Sequence, residues 1–203
     1  MRIGEQGGTA THCRFTGNKD NKSHVRGTVC LDSNNAKLTH CVLDHNTLVL
    51  GNGRGGGVYL QHGTVENCLI FGNRSTYGGG LAIGETGNSG KVIVRNCTIA
   101  DNEATANAGG LFLRNLPYGQ ENRFQNVILA GNKLPNDTLG RAPEWSRENT
   151  NDQGLLNRFA QVVENCIFGA NEAIGTNSIS GDPLFTDPAL HDYTLQSVSS
   201  IGS

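Results

Sequence analysis

What this chain has little of bounds it first. Its 203 residues include one Met and one Trp, charged residues make up only 17%, and the formal net charge is -2. That balance supplies no basic surface for nucleic acid, and nothing in it speaks for a disordered chain. No run of about 18 apolar residues occurs, so no membrane-spanning helix is expected. Met1-Arg2-Ile3-Gly4 leads directly into patterned sequence without the apolar core of a signal peptide. The expectation is a piece of a longer precursor, or an export route not visible in these residues. Among the 6 cysteines no CxxC pair occurs, which removes the usual zinc spacing.

What is present is repetition. VENCLIFGN returns as VRNCTIADN, and the same phrase is centred on Cys13, Cys41, Cys68, Cys97, Val127 and Cys166. Each copy has Asn at its fifth following position: Asn18, Asn46, Asn73, Asn102, Asn132 and Asn171. The copies are spaced by 28, 27, 29, 30 and 39 residues, and a period of about 20 to 50 residues marks a stacked-repeat architecture. Each unit holds short alternating apolar runs broken by Gly and Asn, a strand pattern rather than a helical one.

Aligning the units predicts which side chains point inward. The first strand contributes Ala10, Leu38, Val65, Val94, Phe124 and Val163, and the second Phe15, Leu43, Ile70, Ile99, Leu129 and Phe168. The third contributes Val29, Val58, Leu81 and Leu111 beside Leu31, Leu60, Ile83 and Leu113. Stacked at roughly 4.8 Å, these columns make a continuous core. The fold expected is all-β: a right-handed parallel β-helix of about six turns of three short strands. One domain spans 1–203, with an inserted loop at about 133–161 and a closing segment at about 179–203.

The remaining special residues have structural readings. Five cysteines share one inward column and suit buried free thiols; Cys30 faces outward on a third strand. The Asn columns suit corners, where Asn accepts left-handed backbone angles, and the stacked amides can bond from turn to turn. The glycines of GRGGGVYL, YGGGLAI and NAGGLFL relieve a tight corner before the third strand. His12 and His40 occupy the corner slot, with His45 nearby, but no acidic cluster accompanies them; neither a metal nor a cofactor is expected.

Outward faces carry the functional expectations. The second strand shows Val42, Leu69, Phe71, Ile128 and Ile167, too much apolar surface to stay bare. The excursion at 133–161 is the expected cover, through Trp145 or Leu155-Leu156. The third strand shows Asp32, Tyr59, Gln61, Phe112 and Arg114, where the two rings, about 10 Å apart, could seat sugars. Trp145 joins them as a candidate ligand contact.

The tail DPLFTDPALHDYTLQ, from Asp182 to Gln196, resembles the closing segment of secreted right-handed β-helix repeat proteins of environmental bacteria. SVSSIGS departs from that family's final phrase. The NCxIxxN and GGG units are similar to the repeats of β-helical autotransporter and polymorphic surface proteins. The resemblance implies an extracellular or cell-surface location and a fold shared by adhesins and some polysaccharide-active enzymes. A polygalacturonase would show adjacent aspartates and a GHG segment, and neither string is present. A lyase would gather carboxylates with Arg or Lys on one face; Asp32, Asp44 and Asp101 fall on different strands or corners. The function expected is therefore a non-catalytic module presenting a binding or adhesion surface, with an extracellular polysaccharide or another domain as partner. The alternative is a polysaccharide lyase or glycoside hydrolase, which a convergent group of acids with a basic residue would favour.

Overall fold

The computed structural model describes residues 1–20, 26–84, 90–116, 118, 121–135, 143–149, 151–169 and 173–196. The molecule is a parallel β-helix, a β-solenoid whose body is about 4 turns. The first copy of the repeated phrase forms one outer rung, and beyond the last copy Ile179–Ser180 pairs in parallel with Ile167–Phe168.

Pairing follows the expected columns. Ala10, Leu38, Val65, Val94, Phe124 and Val163 are partners in register. So are Phe15, Leu43, Ile70, Ile99, Leu129 and Phe168. Val29, Val58, Leu81 and Leu111 line the third sheet beside Leu31, Leu60, Ile83 and Leu113. Nearly all are fully buried in one apolar cluster. A further set of short strands, Thr47–Leu48, Arg74–Tyr77 and Glu103–Asn107, forms its own sheet between the Asn corner and the glycines. Its polar sequences gave no apolar alternation from which to expect it.

Single left-handed residues turn the chain. His12, His40, Asn67, Asn96, Asn126 and Asn165 all have φ between 52 and 54°. One strand later Gly17, His45, Gly72, Asp101 and Gly131 form a second such column. These residue types visit that region at least cost. Just past the second corner runs an amide ladder. Asn46 Nδ2 donates to Asn73 Oδ1 at 2.8 Å, Asn73 to Asn102 at 3.0 Å and Asn102 to Asn132 at 3.0 Å. Each amide also donates to a carbonyl of the preceding turn, so these buried groups are satisfied. Asn171 lies outside the described residues, and Asn132 donates instead to Glu144 Oε2 at 2.6 Å.

The central cysteines Cys41, Cys68 and Cys97 are buried free thiols, while Cys13, on the outermost rung, is exposed. Burial raises the thiols of Cys41, Cys97 and Cys166 above their ordinary range, and they donate to backbone carbonyls as neutral groups.

The described part of the excursion joins the solenoid instead of lying on the outward stripe. Trp145–Arg147 pairs with Leu111–Leu113 and so supplies the third strand of the next rung. Helix Gln153–Val162 follows, capped by Asp152, whose side chain accepts from Leu155 N. Leu155 and Phe159, one helical turn apart, join the inner core, where Phe159 packs 5.3 Å from Phe124 and 5.4 Å from Trp145 between ring centres. The outward stripe of the second strand is covered by the tail. Phe185–Asp187 and Asp192–Leu195 form an antiparallel hairpin paired only with itself. Phe185 and Tyr193 lie on Phe71, Ala100 and Ala130, with Val42, Leu69 and Ile128 at the margin.

Candidate functional site

The third-strand outer face is closed where exposed rings were expected. Tyr59 and Phe112 are 0% and 1% exposed and cluster with Cys30, Ala82 and Ala108. The reason lies in the glycines: a Cβ on Gly27 would sit 2.5 Å from Tyr59 N, and one on Gly78 2.9 Å from Phe112 Cβ. Glycine there lets the preceding segment pass directly over the strand. Arg26 then lies 5.6 Å from the Tyr59 ring, Arg54 5.8 Å from Tyr77, and Tyr77 5.2 Å from Phe112. Of the other candidates, Asp32 pairs with Arg2, Gln61 accepts from Arg26 at 3.5 Å and Arg114 binds Glu148 at 2.9 Å. Trp145 is a half-buried core residue, remote in role from any surface contact.

The cavity with converging chemistry lies elsewhere, between the closing segment and the second corner. It measures about 540 Å³ and is walled on the solenoid side by Asp101, Gly131, Asn132, Lys133 and Glu144. Asp182, Pro183, Phe185 and Pro188 form the opposite wall. Each carboxylate has a structural holder. Asp101 Oδ2 accepts the Tyr193 hydroxyl at 2.7 Å, and a Cβ at Gly131 would come within 2.5 Å of Asp101 Oδ1. Glu144, 1% exposed, ends the amide ladder. Asp182 accepts from Leu184 N at 2.9 Å in a local turn. Burial, then the bond to Asp101, pushes the Tyr193 phenol above its usual value, so it stays a neutral donor.

Beside the groove the same corner carries a charged cluster. Asp44, 1% exposed, accepts from Arg14 at 2.8 and 3.0 Å and from Thr16 at 2.8 Å, with His45 Nδ1 also at 2.8 Å. Burial alone would raise its carboxyl, but these partners outweigh it and hold it at about 2. His45 in turn meets His191 of the closing segment at 5.4 Å between ring centres. Among the described residues no three of His, Cys, Asp and Glu gather as a metal-binding group, and no helix is long and apolar enough to cross a membrane.

A β-solenoid with an acid-lined groove defines the class that the geometry supports. Within known proteins the chain is similar to the probable endopolygalacturonase A of Neosartorya fischeri and of Aspergillus fumigatus. It is 25% identical to each over 171 residues, covering 78% of this chain and 46% of the relative. The chain thus spans about half the length of the curated relatives it matches. No family model matches it, and no solved structure does. Sequence reasoning missed Glu144, Lys133 and Asp182 as a group; the one usable signal was that Lys133 follows a ladder Asn directly.

Proposed function

We propose that the chain is a polysaccharide-engaging β-helix module of a larger secreted or surface protein, with the groove under the closing hairpin as its binding site. The observation that carries this reading is the convergence of Lys133, Asp101, Asp182 and Glu144 with apolar walls from Pro183, Phe185 and Pro188. Sugar rings present hydroxyls at their edges and apolar faces, which such mixed linings complement. The fold and the weak identity to endopolygalacturonase support a β-helix family that acts on glycans. The likeness of the tail to the closing segment of secreted bacterial β-helix repeat proteins supports an extracellular setting.

A second reading, hydrolysis, is favoured by that same convergence of acids with a lysine. Glycoside hydrolysis uses one carboxyl as acid and another as base or nucleophile. On this reading Asp101, which accepts from Tyr193, and Glu144, which accepts from Asn132, are the candidates for those roles. Affinity electrophoresis against polygalacturonate, xylan and a neutral glucan, with reducing-end release measured in parallel, tests both. The expected result is retardation by at least one polysaccharide, weakened about tenfold in a Lys133→Ala, Asp182→Asn variant as two charge-assisted contacts go. Reducing-end release lost in Glu144→Gln moves the conclusion to the hydrolase. No retardation by any polysaccharide contradicts the proposal.

A further inference from the structure

The groove under the closing hairpin is lined by an excess of one charge. Three carboxylates, Asp101, Glu144 and Asp182, face it against one ammonium, Lys133. Glu144 is nearly fully buried and ends the amide ladder, so the groove's charge is weighed without it. Two acids still exceed one base. Asp101 and Asp182 are held by neutral donors, the Tyr193 hydroxyl at 2.7 Å and the Leu184 backbone N–H at 2.9 Å, which orient them without cancelling their charge. Lys133 is exposed, and among the described residues no ion pair ties it to either of them. The closing segment extends the field. From Asp182 to Gln196 it holds Asp182, Asp187 and Asp192 but neither Lys nor Arg, with His191 as its one basic side chain. The acids are not gathered as a metal-binding group among the described residues, which leaves an extended cationic ligand as their complement. Pro183, Phe185 and Pro188 give the same wall an apolar surface. A ligand that combines positive charge with apolar ring faces matches both features.

Resting on the reading of the groove as a glycan site, we propose that its ligand is a glycan of amino sugars with free amines, such as a glucosamine oligomer, and that its charge disfavours polyuronates. Ligand ammonium groups donate charge-assisted hydrogen bonds to Asp101 and Asp182 while ring faces lie on the proline and phenylalanine wall. A uronate brings its carboxylate against the same acids and is repelled. Lys133 is then a like charge inside the groove that limits affinity for the amine.

Titrations at about pH 6, where amines and carboxylates ordinarily both carry charge, test this with equal-length oligomers of glucosamine, N-acetylglucosamine and galacturonate, and with oligolysine as a cation that is not a glycan. The glucosamine oligomer should bind about tenfold more tightly than its N-acetylated form at low salt, a margin that narrows at physiological salt, with galacturonate weakest. Asp182→Asn keeps an oxygen for the Leu184 N–H and should lower the amine-to-acetyl affinity ratio about threefold, whereas Lys133→Gln should raise it about threefold. A ratio taken within one variant is insensitive to partial misfolding, and a rise is not a folding defect. The proposal is overturned if galacturonate binds at least as tightly as glucosamine, in which case the groove still takes a glycan and only the charge class is wrong. It is equally overturned if the ratio stays put in either variant, or if oligolysine matches the glucosamine oligomer, because charge alone is then being read. If none of the three glycans binds, the reading of the groove as a glycan site falls, and this inference falls with it.

Discussion

At the scale of single residues, this fold is held by positions that only a few side chains can occupy. Asp44 shows the electrostatic version. Its folded-state value of about 2 lies below the ordinary 3.8, so its contribution is fully present above the ordinary value and is lost as the pH falls through the folded one. The difference corresponds to about 2 kcal/mol. Asp44→Asn should therefore lower stability by about that amount at pH 7, with the gap to wild type closing between about pH 4 and pH 2. Chemical denaturation across that range reads it; a constant gap would show that packing, not charge, is what Asp44 supplies. Residue identity was also where the sequence was most legible. The Cys column, the paired Asn columns and the glycine corners each follow from what one side chain, or none, permits at one backbone angle. Glu144 was not legible as the end of the ladder, because it lies 12 residues from Asn132 and belongs to no copy of the phrase.

At the scale of elements, legibility ended where the repeat ended. Trp145–Arg147 continues the Leu111–Leu113 sheet, yet it lacks the glycine pair that marks NAGGLFL, so the strand was hidden inside an apparent loop. The helix after it carries Leu155 and Phe159 at a four-residue spacing behind an Asp cap, a readable signal overshadowed by the excursion's charges and prolines. The closing hairpin is the clearest case. It pairs with itself, so no register with the solenoid announces it, and only Phe185 and Tyr193 reveal which stripe it covers. Its docking rests on those rings and the Tyr193–Asp101 bond. Tyr193→Phe keeps the ring on Phe71 but removes that bond, worth about 1.5 to 3 kcal/mol when one partner is charged. Amide exchange in residues 185–195 should accelerate at least tenfold while the strand Val92–Ala100 stays protected. Unchanged exchange in the hairpin would mean that apolar burial alone fastens it.

At the scale of the whole molecule, the solenoid is a rigid frame, and its groove exists only because a separate hairpin lies against one corner of it. Apolar columns decide the frame, so the period predicted it; the groove depends on where non-repeating segments come to rest, which periodicity does not address. The function proposed lives in that second layer. The most direct measurement is the hydrogen-exchange footprint of a polysaccharide that retards the protein, mapped over all peptides. Slowed exchange at Ala130–Lys133 and at Asp182–Pro188, the two walls of the groove, is the result predicted. Slowing confined to the Glu66 and Arg95 face of the first strand, or nowhere, would contradict it.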